Sequence, residues 1–510
     1  MSATARLIAV AIVFATALGG WAVAGFWGAV AGVALGASLT VIPWRGQRPW
    51  VWLRLFHRRR HAPPRPEPAT LAGDRTGGGV QFTANTAVTA IQVLGRAHRP
   101  TLFTGSRSTV TDDTLDVAAL LPLLDHPLGL RLESLSVLTI GARRRAAGDY
   151  PRVYDTLIGT PPYAGARETW LILRLAALDN ADALRWRVSA GVAALAAAQR
   201  ICGALARGGI RSRVAGATQL AELDHRFGGP VRQRRWRTVA ATSGWLTSYG
   251  YPPEALTADN LGQAWTLRAD GVAQHLTVYP DATMTGTVTV LTNQPPTAPP
   301  SVLLTSLPGE QGAALAAAAP GPTVRLRGLR AAAAPPTLPI PVGPSGVLIG
   351  RAGAGNRLAF PLTDPGQPTR VWLAAEDVLA KRLLIRAAAA GEQITVHSAD
   401  TGRWAGLRMP GITVTAQARP APGTTISVVD GPLDPAPRPA TVITIATAGV
   451  DADGAHDVTI TQTGPATVEI VAAGIRTSAE IELFRVENRL LRADHSVAEQ
   501  VSPIRDAVRQ

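Results

Sequence analysis

The chain has 510 residues, 50 Lys+Arg against 36 Asp+Glu for a formal net charge of +14, and one cysteine, Cys202. That length allows about three domains, and a lone cysteine excludes an internal disulfide framework and any cysteine-cluster zinc or iron–sulfur site. Eight arginines (Arg6, Arg45, Arg48, Arg54, Arg58, Arg59, Arg60 and Arg65) lie in residues 1–66 with no acid, leaving 42 bases against 36 acids beyond them. The excess charge therefore marks one segment and gives no reason to expect a nucleic-acid partner. Lys381 is the one lysine; with heavy use of Ala, Gly and Arg, this is the bias of a GC-rich genome.

From Leu7 to Trp44, 38 residues carry no charge. A bilayer core needs about 20 helical residues, and one helix of this length would reach about 57 Å. The expectation is two short transmembrane helices in a tight hairpin, broken near Gly19-Gly20 or Gly25. Trp21, Trp27 and Trp44 suit membrane interfaces. Gly25, Gly28, Gly32 and Gly36 repeat at helical spacing and would let helices pack closely. Arg6 precedes the run and the seven arginines from Arg45 to Arg65 follow it, so both ends, and the bulk of the chain, are expected in the bacterial cytoplasm. A cleaved signal peptide ending at Ala22-Val23-Ala24 fits less well, because a second apolar run with a dense basic flank follows at once. Trp50–His61 reads as a stop-transfer flank, compatible with an interfacial helix drawn to anionic lipid. Residues 1–61 thus form the hairpin and its basic flank, and 62–78 a Pro/Gly-rich linker.

The remainder reads as a mixed α/β region of two units, 79–292 and 344–495, joined by a Pro/Ala-rich connection, 293–343, and followed by a polar tail, 496–510. In the first unit strands are expected at Thr86–Leu94, Leu135–Ile140 and Thr169–Leu178, with a short helix over Asp113–Leu124. A long Ala-rich helix over Asp182–Ala206 and a strand at Ile210–Val214 suggest a parallel crossover. Further strands are expected at Trp236–Ala240, Ala264–Arg268, Gln274–Tyr279 and Gly286–Leu291. The second unit reads as strands at Gly346–Gly350, Arg357–Leu362 and Arg370–Leu373, a helix at Glu376–Ala390, and strands at Gln393–His397, Thr424–Val429, Thr441–Thr447, Asp457–Gln462 and Thr467–Ala472. Glu480–Arg492 suits either a strand or a terminal helix.

The chain is poor in catalytic signatures. Gly350-Arg-Ala-Gly-Ala-Gly355 lacks the Lys-Ser/Thr of a phosphate loop and reads as a turn. At the strand-to-helix junction where such a loop would sit, the sequence is Ala374-Ala375-Glu376-Asp377, which suits the helix dipole but repels phosphate. Asp451-Ala-Asp453-Gly454 has a form that can hold a divalent metal with a sugar nucleotide, but it reads as a plain Asp-Gly turn between the strands Thr441–Thr447 and Asp457–Gln462, since the twelve-residue calcium loop is not completed. The histidines show no HExxH, no Gly-x-Ser-x-Gly occurs, and Cys202 falls inside the Ala-rich helix as an apolar residue. The competing enzyme reading is a membrane-anchored, metal-dependent glycosyltransferase using Asp451 and Asp453.

Four stretches carry a family likeness: the hairpin with its Arg-rich exit (Leu7 to Arg60); YDTLIGTPPYAGARETWLILRL (Tyr154 to Leu175) with the helix after it; Ser345 to Trp404, with SGVLIGRAGAGNRLAFPL and VWLAAEDVLAKRLLIRAAAAGEQITVHSADTGRW; and IELFRVENRLL near the C-terminus. In these the chain resembles the EccE family, a membrane component of the type VII (ESX) secretion system of mycobacteria and related actinobacteria. The resemblance implies a plasma-membrane protein with two N-terminal spans and a cytosolic domain, at the periphery of a complex with EccB, EccC and EccD. EccC is the ATPase of that complex. For this chain the resemblance implies a non-catalytic subunit with no catalytic residues, cofactor or small-molecule substrate.

Overall fold

The structure, a computed structural model, describes residues 3–41, 66–71, 77–83, 85–104, 108–142, 166–267, 269–353, 355–407, 409, 411–485 and 487–491. Trp44, Arg45, Arg48, Arg54, Arg58, Arg59 and Arg60, the segment 50–61, most of the linker, the stretch from Tyr154 to Gly165 and the tail 496–510 lie outside the described residues.

An uninterrupted apolar sequence forms one N-terminal helical element, α1, Ala3–Val41. Within it Ala9–Thr40 is long and apolar enough to cross a membrane. The backbone leaves helical values only at Ala24 and Gly25, where Gly25 takes φ +58°, a conformation that costs glycine little. Beyond this break the chain lies back along itself. A Cβ added to Gly28 would overlap the Gly20 carbonyl, one on Gly32 the Thr16 carbonyl, and one on Gly36 the Thr16 hydroxyl and Val13 Cα. The element is thus one helix with a sharp internal reversal, in place of the two separately bounded helices expected. Gly25 itself has nothing within 4 Å of an added Cβ, so it serves the reversal and takes no part in close packing. Trp21 and Trp27 are exposed.

The rest is rich in sheet. In the first sheet, ten strands lie side by side in the order Ala69–Thr70, Gly79–Thr83, Thr86–Gly95, Ala166–Ala176, Ser134–Ala142, Gly271–Val278, Thr283–Thr292, Gly244–Gly250, Val239–Ala241 and Val231–Arg234. All of these pairings are antiparallel. Successive side chains point to opposite faces. Leu171, Leu173 and Leu175 face the main core beneath α2, Ala190–Arg207. Trp170 and Ile172 face the other side, against α3, Ala217–Leu223. The Ser189 hydroxyl caps α2 by accepting from Val192 N at 3.2 Å, and Ala193, Ala194, Ala197, Ala198, Ile201 and Leu205 form its buried stripe.

This sheet corrects the parallel crossover. Ala166–Ala176 and Arg211–Val214 are parallel to one another but never pair, because Thr86–Gly95 lies between them and is antiparallel to both. The long helix is also split: Ala181–Leu184 is a short turn, and α2 starts afresh at its Ser189 cap. Asp113 begins no helix. It is buried, accepts from Arg96 N at 2.8 Å, and leads into the strand Thr114–Asp116 and a 3-10 turn, Ala118–Leu123. Ala264–Thr266 is a 3-10 turn, not a strand. Residues 293–343 do more than connect: they hold α4, Gln311–Ala318, and the strands Thr305–Ser306 and Ala332–Ala333, both paired into the first sheet.

A buried arginine anchors α4. Arg174 donates to the carbonyls of Gly321 (2.7 Å), Ala317 (2.9 Å) and Ala319 (3.2 Å), placing a cation on the carboxyl end of that helix. His275 lies fully buried nearby, and burial, followed by the Arg174 charge, pushes its imidazole down to about 3 from an ordinary 6.5. The unfolded chain takes up this proton near pH 6.5 and the folded chain only near 3. Stability from the neutral ring is therefore complete above pH 6.5 and falls as the pH drops from there towards 3, by about 1.4 kcal/mol per unit for one proton. Denaturant unfolding at pH 7, 6 and 5, followed by tryptophan fluorescence, should show that loss, and His275→Gln should flatten it.

The second sheet is mixed. Ile412–Thr415, Ile394–Ser398, Ile426–Asp430, Thr441–Ala446, Thr369–Ala374 and Val458–Gln462 are parallel neighbours in that order. The antiparallel strands Thr467–Ala472, Ile475–Glu480, Val347–Ala352 and Asn356–Phe360 continue it. Its far edge comes from the first half of the chain, where the hairpin Thr101–Thr104 and Ser108–Thr111 pairs with Asn356–Phe360 and sets Leu102 against the second core. Arg211 and the buried Asp364 form a bidentate ion pair (2.6 and 3.1 Å) across the same junction. Helix α5, Asp377–Ala389, covers the parallel strands, and the short helix α6, Glu487–Leu490, follows the last strand.

Candidate functional site

In open parallel sheets, ligands bind beyond the carboxyl ends of the strands. Here that position follows Thr369–Ala374, beside the ends of Ile394–Ser398 and Ile426–Asp430, and the chain fills it with its own side chains. Arg403 donates through Nη1 to Asp430 Oδ1 (2.7 Å), through Nε to Asp377 Oδ2 (2.9 Å) and through Nη2 to Asp377 Oδ1. Asp430 Oδ2 also accepts from Trp404 Nε1 (2.6 Å) and Ser398 Oγ (2.9 Å). Lys381 Nζ stands 5.7 Å from the Trp404 ring. At the amino end of α5, Glu376 N donates to Gln462 Oε1 at 2.8 Å. Hydrogen bonds from Arg403 hold the Asp377 carboxyl below its usual range, so the carboxylate persists through neutral pH. An incoming phosphate would meet two carboxylates and an arginine whose donors are already engaged.

This geometry predicts that the protein takes up no ATP. Calorimetric titration of ATP into the purified protein is expected to give no saturable heat, and micromolar saturation would overturn the reading. Of the Gly350–Gly355 run, Gly350, Arg351 and Ala352 end the strand Val347–Ala352, and Gly353 and Gly355 lie in the turn to its partner Asn356–Phe360. Asp451 and Asp453 occupy an exposed loop. It is no hairpin turn, because Thr441–Ala446 and Val458–Gln462 flank Thr369–Ala374 on opposite sides and both run parallel to it. Among the described residues, no group of three His, Cys, Asp or Glu side chains could hold a metal ion. Cys202 is half-buried against the main core, and burial pushes its thiol up.

A second charged constellation was not anticipated. Arg382 and Arg386, one turn apart on α5, converge on Glu487 of α6: Arg382 Nη1 to Oε2 and Arg386 Nε to Oε1, each at 2.7 Å. The carboxylate is fully buried and both guanidinium groups are nearly so. Arg386 Nη1 also donates to Ile349 O at 2.5 Å, and Arg382 Nη2 to Asn488 Oδ1 at 2.6 Å. The cluster ties the last described segment to the second core. Arg382 and Arg386 at an i, i+4 interval in VLAKRLLIRAAAA, apolar but for these and Lys381, are its visible signal.

Residues 163–251 match the family described as "Putative type VII ESX secretion system translocon, EccE". The ESX-2 secretion system protein EccE2 of Mycobacterium tuberculosis (strain CDC 1551 / Oshkosh) is 48% identical over 510 aligned residues, covering 95% of each chain. The chain belongs to the EccE family. Its likeness to the ESX-1 secretion system protein EccE1 of the same strain is 26% over 395 residues, 73% of this chain and 77% of that one. The ESX-5 secretion system protein EccE5 of Mycobacterium marinum (strain ATCC BAA-535 / M) shares 28% over 113 residues, 21% of this chain. The family-matched segment of this EccE chain holds Ala166–Ala176, α2, α3 and the edge hairpin of the first sheet. The carboxyl end of the parallel sheet lies outside it.

Proposed function

We propose that the protein is a non-catalytic structural subunit of a type VII (ESX) secretion membrane complex, anchored at its periphery and supporting assembly and stability for protein export. EccE membership over nearly the whole chain carries this reading. The filled carboxyl end of the parallel sheet supports it, since the place where a nucleotide would sit is used for internal ion pairs. The higher identity to EccE2 than to EccE1 favours an ESX-2-type system. Its partners in this reading are EccB, EccC and EccD, together with membrane lipid.

In the same reading, the two arms of α1 on either side of Ala24-Gly25 are two short spans packed through Gly28, Gly32 and Gly36. Trp21, Trp44 and the arginines Arg45, Arg48, Arg54, Arg58, Arg59 and Arg60 sit at the membrane interface. Both termini and the two units, 79–292 and 344–495, are then in the cytoplasm, because the basic residues flank the apolar run on both sides and none falls in its turn. Affinity purification from its own membranes in mild detergent, with mass spectrometry, tests the assignment. A stoichiometric set containing EccB, EccC and EccD is expected; a protein that arrives alone would overturn it.

A further inference from the structure

On the face of the first sheet opposite α2, the helical layer is incomplete. Helices α3 and α4 lie on this face. A groove of about 1140 Å³ opens between them, floored by Leu138, Ile140 and Ala273 and walled by Phe227, Leu246 and Leu315. Helices on a sheet close such gaps by apolar contact, so the floor suits one further amphipathic helix.

The rim states which charge that helix should carry. Residues 226–237, RFGGPVRQRRWR, hold five arginines and no acid. Asp224 is the one acid among the described lining residues. Arg235 stacks on Trp245 at 4.4 Å and donates to Gln233 Oε1. The side chains of Arg232 and Arg234, which line the groove, have neither an ion pair nor a hydrogen bond among the described residues. Arg234 is half-buried, and burial pulls its guanidinium below the usual range, a cost that an opposing carboxylate would relieve. The strand Val231–Arg234 that carries these two arginines is also the edge of the sheet. The chain's own residues 143–165, which follow Ile140, carry four arginines and two aspartates, so they match the rim in charge sign and do not complement it.

We propose that this groove docks an acidic amphipathic helix of another protein, its apolar face on Leu138, Ile140 and Leu315 and its carboxylates against Arg232 and Arg234. The proposal rests on the subunit reading above and adds a surface and a partner chemistry to it. Burial of the apolar stripe holds the helix, and the unpaired arginines select acidic over basic sequences and speed encounter.

The test places a photoreactive benzoylphenylalanine at Leu315 of the full-length protein in its native membrane complex and sequences the cross-linked peptide. The expected product is one segment of a different polypeptide, net negative, with apolar residues at i, i+3, i+4 and i+7. Its yield should fall about tenfold in Arg232→Glu/Arg234→Glu and by less in Arg232→Gln/Arg234→Gln, following charge, as for rim residues of a steered interface. Arg476→Glu, a remote surface change, should leave the yield unaltered. Because both glutamine substitutions fall on partly or fully exposed side chains, their variant keeps the test valid if charge reversal impairs folding. A cross-link to residues 143–165, to a second copy or to lipid would overturn the proposal, as would a neutral or basic segment, a yield indifferent to charge, or no cross-link in an intact complex. Failure to recover the complex at all would instead strike the subunit reading.

Discussion

Replacing Glu487 by alanine is expected to destabilise the second sheet and the core beside it by about 3–5 kcal/mol, the usual cost of leaving a buried ion pair with one partner. Here the removed carboxylate neutralises two guanidinium groups at once, Arg382 and Arg386, each 2.7 Å away and almost wholly out of water. Neither arginine can turn to solvent without dragging α5 from the core it covers, since Arg386 also holds Ile349 O and the segment between the last strand and α6. Thermal unfolding of the purified protein should show a lowered transition, and proteolysis should open α6 first. A triple change, Arg382→Met/Arg386→Met/Glu487→Leu, should recover most of the loss, because what costs stability is uncompensated charge and not the missing pair itself. If Glu487→Ala left both the transition and the proteolytic pattern untouched, the cluster would have no structural weight.

That cluster also marks the limit of what local sequence pattern encodes. Strands such as Thr467–Ala472 and the helix Asp377–Ala389 were legible within a residue or two, because alternation, β-branching and a carboxylate at the helix start are local signals. Pairing partners were not. The hairpin Thr101–Thr104 and Ser108–Thr111 completes a sheet whose other strands begin more than two hundred residues later, and nothing in its eight strand residues names that partner. The same limit produced the parallel crossover. Ala166–Ala176 and Arg211–Val214 flank a helix as a crossover would, but the place between them was taken by Thr86–Gly95, set by earlier chain. Asp113 looked like a helix cap and instead lies buried where Gly95 and Gly343 come close enough that neither position has room for a Cβ. The filled strand ends were half legible: Glu376-Asp377 announced a site hostile to phosphate, whereas Arg403 and Asp430, distant in sequence, reach it only through the fold.

In the membrane anchor the glycines should be separable by what each meets. Gly28→Leu and Gly32→Leu put a branched side chain where a backbone carbonyl already lies, that of Gly20 and that of Thr16. Main-chain atoms of a helix cannot give way as a flexible side-chain tip can, so the two arms of α1 must part. Gly19→Leu adds the same apolar bulk to the same element, yet an added Cβ there meets nothing within 4 Å. Hydropathy rises equally in all three variants, so membrane insertion is favoured in each and only packing distinguishes them. The expected result is a recovery of assembled complex, by affinity purification in mild detergent, roughly tenfold lower for Gly28→Leu and Gly32→Leu, the equivalent of about 1.4 kcal/mol, with Gly19→Leu unchanged. Gly25→Ala is expected to fail differently, since its φ of +58° strains any residue with a Cβ while leaving the contact surface intact. Recovery at the unsubstituted level in both Gly28→Leu and Gly32→Leu would remove close packing of the arms from the account of assembly, and would leave the sheet-rich remainder of the chain to carry it.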